Sequence, residues 1–297
     1  MISLRINGIL TALSWVNFSD GASWVRIDGA TPVNPENAII TCISDGSPHD
    51  NLFNIGQVLD VVRGLNPRIK TTLFMPYTPY ARADRNMVKK DSFGMQVFAR
   101  SLNVYNFDEV IIIDPHSDVA PALINNCKVV TQAQVLASKM ANTIITGRDY
   151  LVVAPDAGSL KKIGAVSKLL GADVAVLGKD RNVETGTLSK TRILEGDVAG
   201  RDCLIVDDIC DGGGTFIAAA ECLLSAGAAS VSLYVTHGIF SKGVSVLKKA
   251  GFTNIFTTDS INVSVKGDSK EDHSGFVIVF RCLPIMADLF TGSFNED

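Results

Sequence analysis

Short apolar runs alternate along the chain with segments whose apolar residues recur at the helical spacing. In the first half, the runs "NAIITCIS", "KTTLFMPY" and "EVIIIDPHS" predict strands. The segments "NLFNIGQVLDVVRGL" and "SFGMQVFARSLNVY", which lie between them, predict helices. Near-continuous Val and Ile runs separated by helices are typical of parallel strands that are buried on both faces.

The second half repeats this plan. Strands are predicted over "DYLVVAPDAG", "DVAVLGKD", "RDCLIVDD" and "SVSLYVTHG", and helices over "LKKIGAVSKLLG", "FIAAAECLLSAG" and "KGVSVLKKAG". The pattern therefore predicts an α/β protein with two similar, doubly wound domains and mainly parallel sheets. The predicted domains span residues 1–135 and 136–285, and the tail 286–297 is predicted to pack back on the first domain.

Composition and charge narrow the class of protein. The 297 residues are 46% hydrophobic and 20% charged, with a formal net charge of -4. These values are typical of a globular protein and give no basic excess for nucleic acid. The scattered cysteines favour free thiols in a reducing compartment over a zinc site or a disulfide framework. Because the sequence has neither a signal-peptide pattern nor a membrane-length apolar run, we expect a cytoplasmic protein that binds no membrane.

The stretch "LIVDDICDGGGT", residues 204–215, combines paired acids with glycines. An apolar run that ends in Asp and Gly is also how an ordinary buried strand reaches a surface turn. However, adjacent carboxylates repel each other unless a cation or a hydroxyl-rich ligand lies between them. Glycines before a helix leave bare N–H groups that suit a phosphate. The two features together predict a site for a phosphorylated sugar.

Further polar clusters follow other predicted strands. They are "PYTPYARADR", "DPHSD", "PDAGS" and "GKDRN". Open α/β sheets bind ligands beyond the carboxyl ends of their strands. Several strand ends that carry acids, His, Arg, Lys and Gly therefore indicate an extended site.

"VDDICDGGGT" resembles the phosphoribosyl-pyrophosphate loop shared by type I phosphoribosyltransferases and ribose-phosphate pyrophosphokinases. The other segments favour the second family, whose motifs they follow in order: "NFSDGA" (F-S-D-G-E), "PYTPYARADR" (P-Y-x-x-Y-A-R-Q-D-R), "DPHSD" (D-L-H-A), "PDAGS" (S-P-D-x-G-G), "GKDR" (D-K-R-R) and "THGIFS" (T-H-x-x-F-S). The resemblance covers nearly the whole chain. It implies two phosphoribosyltransferase-like domains that make 5-phosphoribosyl 1-pyrophosphate from ATP and ribose 5-phosphate and release AMP.

The resemblance also implies roles for particular residues. At the ribose 5-phosphate site, on the C-terminal domain, it places the acids Asp207, Asp208 and Asp211, with the phosphate held by Gly212, Gly213, Gly214 and Thr215. It makes His116 and Asp156 ligands of Mg²⁺, and Lys179 and Arg181 the catalytic pair on a mobile loop. The polar stretch after Arg181 is typical of a flap or a β-hairpin.

The nucleotide site is implied on the N-terminal domain. Its residues would be Arg82, Ala83, Asp84 and Arg85, with Phe18 and Asp20 reaching into a neighbouring subunit's ATP site. We therefore expect a homo-oligomer with a dimer as the minimum unit and a hexamer as the larger form.

Three residues depart from the family pattern. Ala22 replaces its Glu, Ala83 its Gln, and Gly212 a Thr of the ribose loop. Only 17 residues precede Phe18, where the family has a strand and a helix, so we expect one outer element to be missing. Two alternatives stay open: a type I phosphoribosyltransferase, and a catalytically weak regulatory subunit of the same fold.

Overall fold

The computed structural model describes residues 1–45, 47–138, 148–156, 158–181, 188–262 and 275–285, and for 179–181 and 188–190 it describes the backbone alone. The chain forms two compact units. The first is Met1–Val130 with Ser260–Asn262, and the second is Thr131–Asp259 with the described part of Val263–Asp297. The predicted tail 286–297 lies outside the described residues.

The first unit contains one seven-stranded sheet. Its elements are β1 (Ile2–Ile6), β2 (Ile9–Asn17), β3 (Ser23–Asp28), β4 (Asn37–Cys42), α1 (Pro48–Leu65), β5 (Lys70–Phe74), α2 (Gly94–Asn103), β6 (Glu109–Ile113), α3 (Val119–Leu123) and β7 (Cys127–Val130). The strand order is β3-β2-β1-β4-β5-β6-β7. Strands β4 to β7 pair in parallel, whereas β1, β2 and β3 form an antiparallel extension that begins on β4.

The second unit also contains a seven-stranded sheet, with the order β10-β9-β8-β11-β12-β13-β14. Its elements are α4 (Gln132–Ala137), β8 (Tyr150–Ala154), α5 (Leu160–Leu170), β9 (Val174–Arg181), β10 (Leu188–Glu195), β11 (Asp202–Cys210), α6 (Gly214–Ser225), β12 (Ser230–Gly238), α7 (Ser245–Lys249), β13 (Phe252–Thr258) and β14 (Val277–Phe280). All neighbouring strands are parallel except β9 and β10.

The predicted α/β class with two mainly parallel sheets is confirmed. The helices follow from their sequences. In α1 the Ser47 side chain caps the amino end by accepting from the Asp50 N–H, and Ile55, Val58 and Val62 are buried on one face. Strand β10 pairs with β9 as a hairpin partner, in the segment for which a flap or hairpin was predicted.

The antiparallel strands at the amino end were not predicted. Strands β2 and β3 carry exposed apolar residues, for example Leu10, Val16 and Trp24, so they lack the strict alternation of a half-buried strand. Two strands, β1 and β2, precede Phe18. Among the described residues, no helix is both long and apolar enough to cross a membrane.

Candidate active site

The paired acids lie at the end of β11, which runs between β8 and β12 in the middle of the second sheet. Residues 203–206 have no exposed surface, so both faces of the strand are packed against the core as far as Asp207. Asp208 is 5% exposed. The Asp208 N–H donates to Asp207 Oδ1 (2.9 Å), and the Ile209 N–H donates to Asp208 Oδ1 (3.0 Å). These bonds fix the carboxylates at the carboxyl edge of the sheet.

The two carboxylates repel each other. The pKa of Asp207 is raised to about 8, mainly by burial and then by the charge of Asp208, with a smaller contribution from the charge of Asp156. Asp156 follows β8, the neighbour of β11, and its Oδ1 accepts from the N–H groups of Gly158 (2.9 Å) and Ser159 (3.2 Å). Lys162 Nζ, on α5, lies 3.6 Å from Asp208 Oδ2. This cluster of acids is therefore electrostatically suited to a cation or to hydroxyl donors.

The carboxylates of this cluster fit a Mg²⁺ ion whose remaining ligands come from water and from the bound substrate. Among the described residues, no three His, Cys, Asp or Glu side chains are grouped so that they could hold a metal by themselves. Mg²⁺ commonly takes only one or two carboxylates and completes its shell with water and phosphate oxygens. Asp207, Asp208 and Asp156 supply such carboxylates. The raised pKa of Asp207 reflects its burial and the repulsion between these acids, and a cation would relieve that repulsion.

His116, the other predicted metal ligand, belongs to the first unit. It follows β6 and is exposed, as is Asp118. Asp114 beside it is 3% exposed and adopts a left-handed φ of 38°, with its N–H donating to the Val130 carbonyl (2.8 Å). The segment therefore turns sharply at the strand end and presents His116 at the surface.

The glycines after Asp211 form the amino end of α6. Gly213 caps the helix with a φ of 77°, and a Cβ there would lie 3.0 Å from Leu247 Cδ2, so both backbone and packing require glycine. No acidic residue lies in the first turn of α6. The first N–H groups of a helix have no acceptor within it, so Gly214 and Thr215 offer donors for an anion.

A second loop, residues 239–244, packs against this one and was not predicted as part of the site. The Cys210 carbonyl accepts from the N–H groups of Ile239 (2.8 Å) and Phe240 (3.1 Å). Ser241 Oγ donates to Asp211 Oδ1 (2.6 Å). The segment "THGIFS" had been matched as a motif, but no site residue had been assigned to it.

Gln132 was also missed. It is the first residue of α4, is 2% exposed, and its Nε2 donates to the main-chain carbonyl of Asp207 (2.7 Å). Thr131 starts that helix with a capping box to Gln134. A buried amide directly after a helix cap was a detectable signal, but its partner lies 75 residues away along the chain.

The predicted nucleotide segment lies after β5 in the first unit. Tyr80 has a left-handed φ of 61°, and its hydroxyl is 3.0 Å from His49 Nε2. The Ala83 carbonyl accepts from the Met95 N–H (3.0 Å), and a Cβ on Gly94 would be 3.1 Å from the Ala83 Cβ. The amino end of α2 therefore packs tightly on this turn.

The cations of this segment are exposed. Arg82 lies at the surface, and Arg85, 77% exposed, has its Nε 3.8 Å from Asp84 Oδ1. Phe18, 53% exposed, and Asp20 lie in the turn between β2 and β3.

Lys179 and Arg181, the predicted catalytic pair, have a described backbone in β9, where they pair with Thr191 and Leu188 of β10. Their side chains lie outside the described part of the chain.

The chain is similar to known proteins over most of its length. The model of the phosphoribosyl transferase domain family matches residues 122–270. A ribose-phosphate pyrophosphokinase from Granulibacter bethesdensis is 31% identical over 88% of this chain and 83% of its own. A ribose-phosphate pyrophosphokinase from Maricaulis maris is 31% identical over 85% of this chain and 80% of its own. The crystal structure of phosphoribosylpyrophosphate synthetase from Mycobacterium smegmatis superposes on this chain with a TM-score of 0.78 and 23% sequence identity. The superposition covers 98% of this chain and 93% of that protein, which shows a shared fold.

Proposed function

This chain belongs to the ribose-phosphate pyrophosphokinase family, and from that premise we propose how its residues carry out the reaction. The enzyme transfers the β,γ-diphosphoryl group of ATP to the 1-hydroxyl of ribose 5-phosphate, which yields 5-phosphoribosyl 1-pyrophosphate and AMP. The sugar hydroxyl attacks the β-phosphorus in line, and catalysis rests on positioning and charge stabilisation.

The ribose 5-phosphate lies at the end of β11. Asp207 and Asp211 accept hydrogen bonds from the ribose hydroxyls, and Asp208 holds its neighbour's orientation through the N–H bond to Asp207 Oδ1. The 5-phosphate is bound by the amides of the glycine loop and by the Thr215 hydroxyl, at the positive end of α6. This arrangement places the sugar's negative group on backbone donors and its hydroxyl groups on acids.

Mg²⁺, when bound, neutralises the charge on the diphosphoryl oxygens. Asp156, with the pair Asp207 and Asp208, would supply carboxylates for Mg²⁺ on the second unit. His116 would be a Mg²⁺ ligand on the first unit. A cation beside these acids would lower the pKa of Asp207 again, and its ionised carboxylate would then accept hydrogen bonds from the sugar hydroxyls.

The nucleotide is bound by the first unit. Arg82 and Arg85 contact its phosphates, and Asp84 orients Arg85. Phe18 stacks on the adenine of a neighbouring subunit, with Asp20 accepting from the base, so the active form is a homo-oligomer. Lys179 and Arg181 stabilise the charge that develops on the transferred group and the leaving oxygen.

The loop at the end of β11 is the observation that carries this proposal, because it brings buried acids, among them Asp207 with its raised pKa, together with the glycine-rich amino end of α6. The test is incubation with ATP, Mg²⁺ and ribose 5-phosphate, with AMP and 5-phosphoribosyl 1-pyrophosphate measured together. Equal amounts of both products are expected. A protein that binds both substrates but forms neither product would be a regulatory subunit instead.

A further inference from the structure

The side chain of Lys242 lies along the glycine loop. Its Cε, Cδ and Cγ are 3.4, 3.5 and 3.8 Å from the position that a Cβ on Gly212 would occupy. The ammonium is one bond beyond Cε, so it is at most about 5 Å from that position. The lysine stem therefore lies in van der Waals contact with the position that the missing Cβ would take.

The loop that carries Lys242 is held in place. Its backbone is bonded to Cys210, and Ser241 is bonded to both the carbonyl (3.2 Å, through its N–H) and the carboxylate of Asp211. Phe240 adopts a left-handed φ of 46°, and its ring packs over Gly238, where an added Cβ would be 2.2 Å from Cε2. These contacts fix the backbone of the loop, so the side chain of Lys242 starts from a defined position next to the glycine loop.

The charge of Lys242 has no counterpart within the part of the chain that the structure describes. Its side chain is exposed and takes part in no ion pair or hydrogen bond there. By contrast, Lys162 lies beside Asp208. A cation next to an anion-binding helix end, with no carboxylate to neutralise it, is available to a ligand.

The same turn carries a surplus of negative charge that works against a phosphate. Asp207, Asp208 and Asp211 all lie within a few residues of the glycines. A sugar phosphate must therefore bring its dianion close to acids, and amide dipoles alone offset this only in part. A positioned ammonium reduces that repulsion directly.

We propose that Lys242 is a further binding residue for the 5-phosphate of the sugar substrate, and that it takes over the role of the side chain that Gly212 lacks. The proposal rests on the function proposed above and adds a phosphate-binding residue to it. Lys242 contributes to ground-state binding of the phosphate and not to transfer of the diphosphoryl group.

Direct binding measurements test this separately from activity. Calorimetry with ribose 5-phosphate is compared for the wild type, Lys242→Met and Lys242→Arg. Met keeps the aliphatic stem over Gly212 and removes the charge, so we expect a rise of about tenfold in Kd, whereas Arg should stay close to the wild type. Lys249→Met, at an exposed lysine at the end of α7, is the matched control and should change nothing. The difference should shrink as salt is added.

The exchange of the two positions is a second test. The φ of Gly212 is not in the left-handed region, so Gly212→Thr is compatible with the backbone. In the wild type it should weaken binding of ribose 5-phosphate by displacing the lysine stem. In Lys242→Gly it should instead recover part of the lost affinity, since its hydroxyl then has room to donate to the phosphate.

The outcomes are distinct. If Lys242→Met binds ribose 5-phosphate as tightly as the wild type, the lysine serves only to pack on Gly212 and the inference is wrong. If the wild type binds the sugar phosphate through Lys242 but forms no AMP, the inference holds and the proposed function fails. A wild type that does not bind ribose 5-phosphate at all overturns both.

Discussion

Replacing Asp207 with Asn should make the protein without ligands more stable at neutral pH, although it should damage sugar binding. Asn has nearly the same shape and keeps an acceptor for the Asp208 N–H, which now donates to Asp207 Oδ1 (2.9 Å). It removes the carboxyl group whose ionisation the folded state opposes. The gain comes from the raised pKa, because the folded state holds a proton that the unfolded state releases.

The size of the effect follows from the pKa of Asp207, which rises from 3.8 to about 8 on folding. A raised carboxyl pKa contributes stability that is complete below the unfolded value and is lost as the pH rises through the folded value. Between pH 5 and pH 7 the wild type should thus lose about 2.7 kcal/mol from this group, at about 1.4 kcal/mol for each pH unit. Asp207→Asn has no carboxyl at this position, so its free energy of unfolding should not fall for this reason between pH 5 and pH 7.

Thermal unfolding followed by circular dichroism, in chelator and at both pH values, measures this difference. For a unit of this size, 2.7 kcal/mol corresponds to about 5–11 °C in Tm. Comparing the two proteins at each pH cancels the titration of all other groups. Asp149→Asn, at a side chain that is 91% exposed, is the control and should follow the wild type. If Asp207→Asn has the same pH dependence as the wild type, the carboxyl is not stressed and the electrostatic argument for a cation beside it fails.

Four further predictions concern catalysis and assembly. Lys179→Ala should lower kcat by about 10²–10³ and leave the KM values nearly unchanged; a raised KM with normal kcat would make the residue a substrate-binding group. Asp211→Ala should raise the KM for ribose 5-phosphate, and an unchanged KM would remove it from the site. His116→Ala should raise the Mg²⁺ concentration needed for half-maximal rate, which unaltered metal dependence would contradict. Light scattering should give a dimer as the smallest active unit, with Phe18→Ala weakening ATP binding; a fully active monomer argues against shared sites.

Local patterns in the sequence were sufficient for the central elements. The acids at the end of β11, and the helix that follows Gly213, are encoded within about a dozen consecutive residues, so apolar runs and turn residues predict them directly. The strands β2 and β3 were not predicted, because the exposed Leu10, Val16 and Trp24 break the alternation that marks a half-buried strand. A strand whose apolar residues are exposed does not show the alternation of apolar and polar residues by which a half-buried strand is recognised.

Residues that support the site from a distance could not be found in this way. Gln132 meets Asp207 across 75 residues of chain, and Lys242 meets Gly212 through a loop that returns from the next strand. Such contacts depend on strand order and register, which hydrophobic patterns do not contain. The sequence marks Gly212 as a departure from its family, but only the fold places Lys242 beside it.

The residues of the site destabilise the folded protein, and the buried strand beneath them compensates for this. Paired acids repel, and Gly213 is required where an ordinary residue would be strained and crowded. Residues 203–206 compensate, because they are fully buried in the middle of a parallel sheet and keep the acids in place without help from a ligand. A ligand that brings a cation to the acids then removes the repulsion between them, and the positive end of α6 stabilises the anion of the same ligand. Metal and sugar phosphate should therefore each tighten the binding of the other, since each relieves a charge that opposes its partner.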